Sequence, residues 1–313
     1  MRNSRLKHCR KSCNILLTEG QGIITGDKGN KVMGYAKKVK NIDSLHKAMP
    51  YILVSRCNSE IYIAEKIDVT NLLEFIKEKN KETKKEDRAT LFHCFLAGLA
   101  KVVYERPFLN RFIRMKKYYE RERIILSFIA KSELEDDARE IIINLKSEET
   151  DTLETIKNTI IRRVREKRSE KSNSGNKMVD IAAKLPFFSC IAGLYRLADY
   201  WGLLPREMME TDPFYATVLV TNLGSIKCNQ VYHHLNNHGT NSIVVAIGTV
   251  HKEEIIYENE KREVRDIVEV GVTCDERIAD GFYFAKSIKL FQHIINKPEI
   301  LERQLAEELN YEV

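Results

Sequence analysis

The chain has 313 residues, 43% of them hydrophobic, 31% charged and 8% aromatic, a composition that fits a folded globular protein and excludes a disordered or fibrous one. Its net charge of +6 is uneven: residues 1–48 carry +8 and the remainder −2, too little for a nucleic-acid footprint over the folded part, so no nucleic-acid partner is expected.

Residues 1–40 hold five of the fourteen glycines as well as most of the basic excess, and read as a Gly-rich basic extension with turns in GQGIITGDKGNK. His8, Cys9 and Cys13 have a ligand-like look, but no second Cys/His pair completes a zinc set, so no metal is expected. Seven scattered cysteines, an odd number, argue against a disulfide framework and for a reducing compartment. The apolar run near the start covers only residues 14–17, far short of a signal peptide, and a cytoplasmic location is expected.

Between Ser59 and Val69, Ile61, Ile63, Ile67 and Val69 alternate with polar residues, the period of a half-buried strand, and a helix is predicted from Thr70. After the charge run 77–87, Leu91–Tyr104 is long and apolar enough for a buried helix. Short β-rich runs at 109–113, 124–130 and 141–145 predict a sheet, and 152–171 returns to helical spacing. SNSGNK (172–177) is a break, followed by an apolar helical stretch, 181–204, closed by Pro205. Strands are predicted at 215–221 and 242–250, then a hairpin over 255–272, a connector over 273–281 and a helix over 282–295. The order predicts a mixed α/β fold.

Three segments resemble the catalytic domains of the 2-oxo-acid dehydrogenase dihydrolipoyl acyltransferases and of chloramphenicol acetyltransferase. MPYILVSRCNSEIYIAEKIDVTNLLEFIKEK (49–79) resembles the family's opening, in which a helix leads to an edge strand and a DVT-type helix start. VLVTNLGS (218–225) resembles its T-x-S-N-L-G strand, and Asp275-Glu276-Arg277-Ile278-Ala279-Asp280-Gly281 its D-H-R-x-x-D-G signature, with glutamate at the histidine position. The resemblance implies a chloramphenicol acetyltransferase-like mixed-sheet sandwich with flanking helices over residues 41–313, carrying a helical insertion at about 172–213. No lipoyl domain is read ahead of it, so a stand-alone variant is expected.

That family moves an acyl group between coenzyme A and a thiol or hydroxyl acceptor through a tetrahedral intermediate, with a histidine base and a hydroxyl binding the oxyanion. Carried over, the hydroxyl is Thr221, and coenzyme A thioester is the implied co-substrate. Three readings of Glu276 stay open: a dead site kept as a scaffold, a desolvated carboxylate base, or replacement by His233 or His234 in VYHHLNNHGT, with His238 close behind. Asp280, paired with Arg56 or Arg277, and Gly281 would order the site, while Asn222 and Gly224 shape the turn after the strand. Cys228 and Cys274 read as buried structural thiols. The resemblance also implies a homotrimer with its channels between subunits, and leaves room for a separate lipoyl or carrier protein. The wide apolar side of 181–204 fits core, a subunit contact or a membrane surface.

Overall fold

The computed structural model describes residues 35–131, 140–169, 184, 187–257 and 260–311. The expectations for the His8/Cys9/Cys13 cluster, the GQGIITGDKGNK turns and the SNSGNK break lie outside them.

Alternation in the first predicted strand produces β2 (Glu60–Asp68), whose Ile61, Ile63 and Ile67 face the core. It pairs over its whole length with β9 (Arg262–Asp275), and β9 pairs with β8 (Ile243–Ile256). β7 (Val218–Asn222) lies parallel between β8 and β5 (Ile124–Lys131), and β6 (Glu140–Ser147) closes the far side, antiparallel to β5. The result is a six-stranded mixed sheet in the order β2-β9-β8-β7-β5-β6. The expected mixed-sheet α/β class is the one observed.

One face of this sheet is covered by helices. α3 (Leu91–Glu105) buries most of its length, as its largely apolar run requires, and starts from a capping box between Thr90 and His93. Phe95 and Leu96 are fully buried, each stabilising the fold by about 2–3 kcal/mol relative to exposure. α2 (Thr70–Lys79), α4 (Leu153–Ser169) and α7 (Gly281–Asn296) complete the layer over Val218, Val220, Val245, Val268 and Val270. Lys101 of α3 is fully buried, its ammonium donating to the carbonyls of Gln304 and Glu307 at 2.9 and 3.0 Å and so tying residues 304–307 to the helix.

Four expectations need correction. The runs at 109–113 and 124–130 do not share a sheet: β3 (Arg111–Arg114) and β4 (Lys117–Arg121) pair with β1 (Ala36–Lys38) in a separate three-stranded sheet, closed by a turn in which Met115 and Lys116 both adopt positive φ. Residues 243–256 form one continuous strand with an irregularity between Ile247 and Val250, because β9 supplies a partner for its whole length. The apolar helical stretch contributes α5 (Phe188–Trp201), ended by Gly202 at φ 70°, and a further short helix, α6 (Arg206–Thr211), follows Pro205. α5 is not a core helix: its only buried residue is Asp199, while Leu194, Leu197 and Trp201 are exposed. Among the described residues no helix is long and apolar enough to cross a membrane.

The second face of the sheet is crossed by the segment between β7 and β8. Cys228 O accepts from Thr249 Oγ1, and the chain then passes over two glycines before Tyr232 reaches Tyr62 of β2, ring to ring at 5.4 Å. A Cβ on Gly248 would stand 2.8 Å from Gln230 N, and one on Gly271 only 2.4 Å from Val231 O. The sheet lacks side chains where the segment must lie flat on it. Gly271→Ala is therefore expected to lower stability by about 1–3 kcal/mol in denaturant unfolding, with faster amide exchange concentrated at residues 228–235. Gly193→Ala, in open space within α5, is the control and is expected to be neutral or stabilising.

Candidate functional site

The connector after β9 is built on a buried ion pair. Asp275 is completely buried and takes both hydrogen bonds of the Arg277 guanidinium at 2.8 Å, plus the Arg277 backbone N–H at 3.1 Å. The remaining Arg277 nitrogen donates to Leu53 O at 2.9 Å, just past α1 (Ser44–Ile52). A charge taken from water this completely is tolerated because the guanidinium and a backbone N–H meet it, and removing one partner of such a pair typically costs about 3–5 kcal/mol. Glu276, between the two, is half-buried, and its N–H donates to Ser59 O at 2.9 Å.

Two expectations about this connector are corrected. Asp280 is not an arginine's partner: it is exposed and caps α7, its carboxylate accepting from Tyr283 N at 2.7 Å, while Arg277 is taken by Asp275 and Arg56 by carbonyl oxygens. Gly281 is not required by crowding, since nothing lies within 4 Å of where its Cβ would be.

Thr221 stands on the face of β7 opposite Val218 and Val220, with a half-buried side chain beside Ala246. Gly224 is needed after it, because a Cβ there would meet Gly248 O at 2.6 Å. Asn222 supports the same turn through its carbonyl, which accepts from Ser225 Oγ at 2.8 Å, and the left-handed residue is Lys227 rather than Asn222. The structure does not bring Thr221 to the connector within one chain. Thr221 is level with Ala246 and Gly271, two strands across and five residues before Glu276. At about 3.3 Å per residue and 4.8 Å per strand the gap is roughly 20 Å.

It does bring the histidine loop there. Glu60 lies opposite Asp275 in register, and its carboxylate, with a side chain only 4% exposed, accepts from Leu235 N at 2.7 Å and meets His234 Nδ1 at 3.2 Å. The His234 ring is 85% exposed, so its other nitrogen faces outward. His233 is exposed as well. Glu60 was missed from the sequence, where it is merely the polar start of an alternating strand.

His238 is placed differently. Its Nε2 meets Asp212 Oδ2 at 2.7 Å and its Nδ1 lies 3.3 Å from Asp199 Oδ2. Burial disfavours its proton, but its interactions with the Asp199 and Asp212 carboxylates outweigh that and hold the imidazole up at about 9. Asp199 in turn accepts from Arg114 and from Tyr215 Oη, each at 2.6 Å, and from Gly239 N at 2.9 Å. Burial works against its charge, and these donors hold its carboxyl below the usual range. Tyr215 is pushed up, by burial first and then by Asp199. The charged residue in the middle of an apolar helix was the available signal for Asp199. Beside this cluster is a cavity of about 480 Å³ reached by Arg56 and Arg277.

Of the cysteines, Cys274 is buried as expected and its thiol is raised by burial, but Cys228 is exposed. Among the described residues no group of three or more His, Cys, Asp or Glu is placed to hold a metal.

Residues 205–302 match the family model of the 2-oxoacid dehydrogenases acyltransferase (catalytic domain), so the resemblance read from VLVTNLGS and from Asp275–Gly281 holds over that stretch. A sequence search of curated proteins finds no match. Among solved structures, a probable dihydrolipoamide acetyltransferase from Listeria monocytogenes 4b F2365 is similar at 18% identity, over 88% of this chain and 97% of that one, with a TM-score of 0.54. The Azotobacter vinelandii dihydrolipoamide acetyltransferase gives 12% identity, 84% and 94% coverage and a TM-score of 0.58. The cubic core of a pyruvate dehydrogenase multienzyme complex gives 12%, 84% and 94%, and 0.56. At these identities the likeness establishes the acyltransferase-core fold.

The elevated His238 makes stability fall with alkali. A group whose native pKa lies above its ordinary 6.5 stabilises fully below about pH 6.5, and that contribution disappears as pH rises through about 9. Chemical denaturation is expected to show a loss of the order of 3 kcal/mol across this window, which Asp212→Asn should reduce.

Proposed function

We propose that this chain transfers an acyl group from a coenzyme A thioester to a thiol or hydroxyl acceptor, in a site completed between two copies of the chain. His234 is the base, Glu60 positions it, and Thr221 of a neighbouring copy supplies the oxyanion donor. The observation that carries the reading is the Glu60–His234 contact: a shielded carboxylate on one ring nitrogen, with the other nitrogen open to substrate. With a proton on Nδ1 donated to Glu60, Nε2 is left with the lone pair that a base needs.

The chemistry then runs through ordinary acyl transfer. Nε2 takes the acceptor's proton as its sulfur or oxygen bonds to the thioester carbonyl carbon. The electron pair of the carbonyl moves to oxygen, and the Thr221 hydroxyl donates to that oxyanion. Collapse of the intermediate expels the coenzyme A thiolate, which recovers the proton from the imidazolium. The intrachain gap of roughly 20 Å between position 221 and the connector rules out this constellation in a lone subunit. A homo-oligomer, and specifically a trimer, is therefore part of the proposal, and the assembly of the fold relatives into multienzyme cores supports it.

The acyltransferase-like domain is taken as residues 41–313, with 1–40 a basic extension and 172–213 an insertion; the setting is the cytoplasm, with a lipoyl or carrier protein as an optional thioester donor. Strand β1, at residues 36–38, already belongs to the folded part.

Steady-state assays with a panel of acyl-CoA thioesters test the reading. Thr221→Ala and His234→Ala are each expected to lower kcat about 10²-fold or more, and Glu276→Gln to leave it within about twofold. Co-expressed, the two inactive variants should recover roughly a quarter of the wild-type rate, the share of interfaces that receive one intact half from each copy. Loss of rate in Glu276→Gln with His234→Ala unaffected would transfer the role of base to the carboxylate. Turnover indistinguishable from the enzyme-free blank for every thioester leaves a non-catalytic scaffold.

A further inference from the structure

The cavity of about 480 Å³ lies between α5, the Met115–Lys116 turn and residues 237–239, and neither Thr221 nor His234 lines it. Its walls combine unbalanced positive charge with apolar surface. Arg56 is 5% exposed, yet its guanidinium donates only to the carbonyl oxygens of Asn236 and Gly239, and its Nε has no hydrogen-bond partner. A buried guanidinium with no carboxylate bonded to it is electrostatically incomplete.

Among the described residues, the cavity's own carboxylate is already engaged. Asp199 is the one carboxylate in the lining, and it is occupied by Arg114, Tyr215 and Gly239, while Arg277 is satisfied by Asp275. A second polar atom in the wall, His238 Nδ1, also makes no hydrogen bond, since its approach to Asp199 lacks the geometry for one. On the open side Lys116 and Arg196 add charge that draws anions inward, and Val54, Ile113 and Leu197 offer apolar surface. Met115 and Lys116, both at positive φ, form the two-residue hairpin turn between β3 and β4 that edges the cavity. The volume suits a small ligand.

We infer that this cavity binds an organic oxyanion, a carboxylate or phosphate head carrying an apolar chain of a few carbons, with the head at Arg56 and His238 and the chain along α5. The inference is independent of acyl transfer, because none of the residues assigned to that reaction forms the wall.

Isothermal titration of the full chain with hexanoate, hexyl phosphate and hexanol tests it. At least one of the two acids is expected to bind saturably at one site per chain, and hexanol at least tenfold more weakly; which acid binds identifies the head group. The double variant Lys116→Gln with Arg196→Gln, both on the open side, is expected to weaken the acid at least tenfold at unchanged melting temperature. Arg56→Gln should abolish binding, and if that variant fails to fold, the surface pair carries the test. Equal binding of hexanol, no saturable binding of either acid at low-millimolar concentration, or an unchanged affinity in the double variant overturns the inference.

Discussion

The Asp275–Arg277 pair is the constraint around which the functional end of this molecule is arranged. A carboxylate with no exposed surface has to be met by charge and by backbone donors, and Arg277 meets it with two guanidinium bonds while reaching Leu53 with a third. Through that geometry the last residues of β9, the entry to β2 and the end of α1 become one rigid junction. Glu276 cannot shift independently of Ser59, nor can the Glu60–His234 contact be moved without disturbing the register of β2 on β9. Glu60 and Thr221 are therefore mounted on strands, and the loop residue His234 is tied to β2 through Glu60, the arrangement that holds reacting groups to the tolerance catalysis demands.

Much of the sheet was legible because its signals are local. The alternation at 60–68, the largely apolar stretch of 91–105 and the aliphatic run beginning at 243 each follow from which face meets the core. Pairing was harder to read. That Lys117–Arg121 joins Ala36–Lys38 and leaves the main sheet depends on contacts some eighty residues apart, which periodicity does not encode. The same holds at the site. Thr221, Glu276 and the histidine loop could be named from motifs, but their separation along and across the strands follows only from register. Glu60 could not be picked out, since a single acidic residue at a strand start has no meaning until its partners are known, and Asp199 showed only as a charge in an apolar helix, without its partners.

The segment 188–211 gives the fold a character of its own. α5 contributes one buried residue, Asp199, and that residue organises Arg114, Tyr215, Gly239 and His238 around itself. A helix attached through polar contacts of Asp199 and Tyr195 is an unusual way to dock an apolar element. Its hydrophobic side is left outward, with Leu194 and Leu203 both mainly exposed, while its polar root encloses the cavity next to the connector. The segment thus adds a wall and an exposed surface beside the six-stranded sheet.

Lys101 carries a consequence for how the chain reaches this state. Its ammonium ion sits inside α3 without water and is satisfied only by carbonyls that lie 203 and 206 residues downstream. While the ribosome is still making the intervening residues, that cation has nothing to replace its hydration, so the helix cannot settle against its final neighbours. β2 waits in the same way for β9. The contacts that satisfy Lys101 and complete β2 are therefore long-range ones, available only once residues 262–307 are present.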